Sequence, residues 1–164
     1  MILSSLILAV AEPPRMQIRE LTAEAVMGNC VLGGREFVNG RARTKTKSWF
    51  WNTGEKRWES PDLGSDLTTE FNTLETVEDG VSQKQIICIV TSSTSSSNVT
   101  KGLRKYLPKP ESQDKDAGSA TWLLTANEIK TIIRLSAINK SQSMIIVAQY
   151  PGQSSGVNAE PLEQ

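Results

Sequence analysis

Thr73-Leu-Glu-Thr-Val-Glu-Asp-Gly-Val-Ser-Gln-Lys-Gln-Ile-Ile-Cys-Ile-Val90 is the stretch on which the fold class turns. Asp79-Gly80 sits between two strand-like runs, and a two-residue type I′ turn needs positive φ at both central positions, which Asp-Gly tolerates. The run Ile86 to Val90 is almost wholly β-branched and favours a strand over a helix. Working outward, the same device recurs. Asn39-Gly40 separates Val31 to Val38 from Arg41 to Trp51, and Asn52-Thr-Gly-Glu55 leads into Lys56-Arg-Trp58. Towards the C-terminus, Ala120 to Thr125, Ile129 to Ile138 and Met144 to Tyr150 read as three more strands, with Asn139-Lys-Ser-Gln142 as the turn between the last two.

Two segments also fit helical spacing. Leu67, Phe71 and Leu74 recur at i, i+4, i+7, and Ile129, Ile132 and Ile133 share a helical face. Four threonines between 68 and 76 disfavour a long helix in the first, and length with the β-branching of 129–136 assigns the second to a strand. The sum is a mainly β chain of about eight short strands, an antiparallel sandwich or barrel with at most one or two short helices. Gly102 to Leu107 is a candidate helical turn. The Ser/Thr-rich stretch 91–100 and the Pro-, Ser- and charge-rich stretch 108–118 read as exposed loops. The organisation expected is an apolar arm over 1–14, one β-rich domain over 15–150 and a polar tail over 151–164. No internal sequence repeat is visible.

The chain has 164 residues, 18 Lys plus Arg, 18 Asp plus Glu and no histidine. Ser-His-Asp and Cys-His catalysis and His-ligated zinc are therefore excluded, and two cysteines are too few for an all-thiolate zinc site. Cys30 and Cys88 both lie in apolar surroundings; a pair of reduced core thiols is the first reading and a single disulfide the alternative. Met1 to Ala11 is apolar and ends in Ala-Val-Ala, but no base precedes it and it is shorter than a usual signal peptide. An intracellular location is the first expectation, with secretion following if that segment is a signal peptide.

The zero net charge is a cancellation of blocks: residues 15–57 sum to +5, 58–80 to −7, and 81–110 to +5. Within the first block, Arg41, Arg43, Lys45, Lys47, Trp49 and Trp51 fall on one face of an extended strand, about 6.6 Å between successive members. Cations that meet phosphates, ending in two indoles that can stack on bases or sit among lipid headgroups, suit an anionic polymer or surface. The same pattern also serves an exposed edge strand that resists aggregation, or indoles turned to the core beyond a bulge. The seven acids of 58–80 include Asp62, Asp66 and Glu70, without calcium-loop spacing.

The order Cys30, Trp, Cys88 is that of immunoglobulin domains, but Ile86 stands where those place a tyrosine, and no family is assigned. The functional expectation is a non-enzymatic β-rich binding or assembly protein, a self-associating coat- or matrix-like structural protein being one form of it. Its partner would be single-stranded nucleic acid or an anionic membrane surface, and complementary charge blocks would allow self-association. A lipocalin-like carrier of small ligands is the alternative. No metal or cofactor site is read from the sequence.

Overall fold

The computed structural model describes residues 17–33, 49–78, 81–126 and 129–150. Helix α1 (Ile18–Glu24) runs directly into a π-helical segment (Ala25–Leu32), and a second helix, α2 (Ser96–Leu103), follows later in the chain. The strands are β1 (Phe50–Asn52), β2 (Arg57–Ser60), β3 (Gly64–Glu78), β4 (Val81–Ser92), β5 (Ser112–Asp114), β6 (Ser119–Ala126), β7 (Ile129–Ala137) and β8 (Ser143–Tyr150). They form one antiparallel sheet in the order β1-β2-β3-β4-β8-β7-β6-β5.

Eight strands and two short helices match the sequence reading. The expected closure into a sandwich or barrel is corrected: there is a single open sheet, with the helices packed on one face. Its topology is also duplicated. A helix followed by a four-stranded meander occurs twice, and the two halves join where β4 pairs with β8.

The turn signals act as read. Glu78 pairs with Val81 at the end of the β3–β4 ladder, and Asp79-Gly80 lies outside the described residues. In the β1–β2 turn the Asn52 side-chain carbonyl accepts from the Glu55 amide at 3.1 Å. In the β7–β8 turn Asn139 Oδ1 accepts from the Ser141 amide at 2.9 Å. Asx-type bonds of this kind give the backbone a local alternative to the sheet ladder and so end the strands.

Cross-strand register assigns every strand residue to a face. One row crosses all eight strands on the helix side: Trp51, Trp58, Thr69, Val90, Ile145, Leu135, Ala120, Gln113. The next row carries Phe71, Cys88, Val147, Ile133 and Trp122. These rows meet Ala23, Ala25, Val26, Cys30 and Val31 from the first helical segment, and Val99 and Leu103 from α2, in one core.

Polar groups trapped in that interface are partnered, as burial requires. Thr22 Oγ1 lies 2.7 Å from Ser92 Oγ, Asn29 Nδ2 donates to Thr69 Oγ1 at 3.3 Å, and Gln149 Nε2 donates to the Val31 carbonyl at 3.0 Å. The Trp122 indole N–H donates to the Pro108 carbonyl at 3.1 Å. No buried side-chain nitrogen or oxygen among the described residues lacks a partner.

Three local expectations are corrected. Val31 and Leu32 belong to the π-helical segment and not to a strand, because Val31 is needed in the core on the helix side. Ser96–Thr100 is helical and not loop: Ser95 caps α2 by accepting from the Asn98 amide, and Val99 and Leu103, one turn apart, anchor it on the sheet. The reading of two reduced thiols is replaced by a Cys30–Cys88 disulfide, Cα atoms 5.4 Å apart, joining the helical segment to β4. The Asn39-Gly40 hairpin, the arm over 1–14 and the tail over 151–164 lie outside the described residues.

Helix α1 and helix α2 touch closely. A Cβ on Gly102 would stand 2.6 Å from the Arg19 carbonyl oxygen, a distance no side chain tolerates. Lys105 just beyond α2 donates to Glu20 at 3.1 Å, and that bond holds the Glu20 carboxyl below the usual glutamate range.

Two stability measurements follow. The disulfide closes a loop of 58 residues, for which loop-closure entropy gives about 4 kcal/mol, so a Cys30→Ser, Cys88→Ser double variant should lose up to that amount in urea denaturation. Gly102→Ala forces the helices apart and should cost about 1–3 kcal/mol by the same measurement. A Gly54→Ala control, where the nearest atom is a side-chain oxygen at 3.5 Å, should change little.

Candidate functional site

The sequence-predicted basic row divides at the limit of the described residues. Arg41, Arg43, Lys45 and Lys47 lie outside them. Trp49 is half-buried against the core. Trp51, in β1, is 45% exposed and meets Trp58 of β2 edge-on, ring centroids 5.5 Å apart. The register puts both of these indoles on the helix side, at the end of the longest cross-strand row. Phe50, 46% exposed, points to the opposite side.

The acidic run does not gather. Glu59 is buried beside Arg57, whose Nε donates to it at 3.2 Å, and it also accepts from Asn52 at 3.0 Å. Asp66 accepts from the Ser93 hydroxyl at 3.0 Å. Asp62 lies in the β2–β3 turn and Glu70 on β3, and no group of three or more acids and cysteines among the described residues is placed to hold a metal ion.

Two surfaces that the sequence did not single out come from the fold. The first is the sheet face opposite the helices. Its middle rows read Leu123, Ile132, Ala148, Ile87, Asn72 and then Thr121, Arg134, Ile146, Ile89, Glu70. Ile87, Ile89, Ile132, Ile146 and Ala148 are each only half-buried, and Leu123 is exposed. No other described element lies over them. Lys130 and Arg134 on β7 point from this face into solvent without an ion pair among the described residues.

The signal for this face was in the sequence. Ile86-Ile-Cys-Ile-Val90 and Met144-Ile-Ile-Val-Ala148 are unbroken apolar runs, where a strand with one wetted face alternates.

The second surface is a cleft of about 240 Å³ between α2 and the β5–β6 hairpin. Ser96, Ser97, Thr100, Lys101 and Arg104 form one wall, and Gln113 to Lys115 with Gly118 and Ser119 the other. The signal for it was Lys101 and Arg104 on one side of a helix, hidden because 91–100 read as loop.

No family model, curated protein or solved structure matches the chain. No helix among the described residues is long and apolar enough to cross a membrane.

The Trp51–Trp58 pair tests the register at the sheet's end. Edge-to-face aromatic pairs add about 0.5–1.5 kcal/mol beyond their area. A double-mutant cycle of Trp51→Ala and Trp58→Ala should return a coupling of that size, and additivity of the two changes would place the rings apart.

Proposed function

We propose that the chain is a non-enzymatic binding protein that docks through the open face of its sheet onto an anionic, amphipathic surface such as a membrane. The observation that carries this is the one-sided burial of β4 and β8. Both strands are apolar towards both faces, yet only the helix side is covered by described residues. Apolar surface left in water costs roughly 25 cal/mol per Å², so a partner that covers the two isoleucine rows recovers that free energy on binding.

Charge and aromatic placement favour an anionic partner. Lys130 and Arg134 border the isoleucine rows, and each basic residue near an anionic bilayer adds about 1 kcal/mol of attraction. Phe50 stands exposed on the same face at the β1 end, one residue after Trp49 and close in sequence to the basic run Arg41 to Lys47. Carriage of an apolar small molecule is the second reading, supported by the same isoleucines without use of the cations.

Co-sedimentation with vesicles separates these readings. Phosphatidylcholine vesicles containing phosphatidylserine should retain the protein in a salt-sensitive manner. A Lys130→Gln, Arg134→Gln variant should bind roughly thirtyfold more weakly, as the loss of about 2 kcal/mol requires. An Ile89→Glu, Ile146→Glu variant should not bind. Binding of a fluorescent fatty acid without vesicle retention would favour the carrier. Retention on an oligonucleotide alone, or vesicle retention that survives both variants, would overturn docking through this face.

A further inference from the structure

We propose that the cleft between α2 and the β5–β6 hairpin binds a phosphate monoester. The argument is independent of the open sheet face. It rests on three cations from two elements that line one cavity of about 240 Å³.

Helical spacing supplies the first wall. Ser96, Thr100 and Arg104 recur every four residues and so stack along one stripe of the helix and its C-cap, with Ser97 and Lys101 on the adjacent stripe. The opposite side of the helix carries Val99 and Leu103 into the core, which fixes the polar stripes outward.

The second wall is held in place by its turn. Asp114 Oδ1 accepts from the amides of Asp116 at 3.0 Å and Ala117 at 2.9 Å, closing the loop that carries Lys115. Gly118 then takes φ +64°, and a Cβ there would lie 2.7 Å from Ser96 Oγ and 2.9 Å from Ala137 Cβ. The hairpin is thus pressed onto the first turn of α2, and the Gly118 carbonyl accepts from the Ala137 amide at 3.1 Å.

Lys101, Arg104 and Lys115 have no ion pair among the described residues, whereas nearby Lys105 is paired with Glu20. Three like charges around one small cavity repel each other, and a bound anion relieves that repulsion. Asp114 is the one acid in the lining, and its carboxylate is engaged by the turn, so the lining sums to +2. A phosphate monoester carries about −1.5 to −2 at neutral pH with three acceptor oxygens, which matches that charge. The hydroxyls of Ser96 and Ser119 have no hydrogen-bond partner among the described residues and remain to donate. The cavity is smaller than the 300–1,000 Å³ typical of drug-sized ligands, so the phosphoryl group and little more would be enclosed.

A soluble ester and a lipid headgroup share this chemistry, and the test distinguishes them. The full chain, isotopically labelled, is titrated with glycerol 3-phosphate at constant ionic strength and followed by amide chemical shifts. In a parallel arm it is mixed with phosphatidylcholine vesicles with and without phosphatidic acid.

Saturable shifts confined to 96–104 and 113–119 on adding the soluble ester support the site and assign it to a small metabolite. Vesicle binding that requires phosphatidic acid and is lost in a Lys101→Gln, Arg104→Gln variant supports it and assigns it to a lipid. In either arm Lys101→Gln or Arg104→Gln alone should weaken binding about tenfold, the usual size of a charge-assisted bond. Lys105→Gln, whose partner is Glu20, should leave it unchanged. Shifts that sodium chloride reproduces, or affinity unaltered by the Lys101 and Arg104 variants in both arms, would overturn the proposal. So would a complete absence of saturable binding.

Discussion

A sheet of eight strands needs a layer over at least one face, and among the described residues that layer is α1 with its π-helical extension and the eight-residue α2. The fold therefore depends on how firmly the first helical segment is seated. The Cys30–Cys88 bond does this at the centre of the sheet, on the strand that joins the two four-stranded halves. Around it Thr22, Asn29 and the Val31 carbonyl each find a polar partner on β4, β3 or β8, so the seat is specific as well as apolar. The π-helical geometry belongs to this seat. The segment buries Ala25, Val26, Asn29, Cys30 and Val31 together, spreading the buried set around more of the helix than one narrow stripe.

Much of this was legible in the sequence where local chemistry dictates the answer. Asn52 to Glu55 and Asn139 to Gln142 mark turns because their side chains close them, and the strands beside them followed. Where a tertiary contact decided, the sequence misled. Val31 is β-branched and sits before Gly-Gly, yet core packing holds it in a helix. The serines of 91–100 read as loop by composition, although one of them is a cap and Val99 and Leu103 are anchors a turn apart.

Closure into a sandwich or barrel was inferred from strand number, which says nothing of sheet order. The duplicated topology left no sequence repeat, because the two helix-plus-meander halves carry different residues on the same path. The candidate surfaces divided in the same way. The isoleucine runs of β4 and β8 announced two apolar faces. Of the cationic cleft the sequence carried only the Lys101 and Arg104 wall, since Lys115 joins them in the lining only through the fold of the β5–β6 hairpin.

The order of the strands turns a pattern along the chain into a pattern in space. Residues 49–78, which build β1 to β3, carry two bases and seven acids, while residues 96–140, from α2 through β7, carry eight bases and four acids. With β4 and β8 between them, the acidic half lies at one end of the sheet and the basic half at the other. Among the described residues the strand order thus separates charge along the sheet, and charge separated in this way orients in the field of a charged surface. At that basic end α2 and the cleft stand on the helix side of the sheet, and Lys130 and Arg134 stand on its open side. The separation of charge that cancels in the composition is therefore the feature that gives the fold a direction.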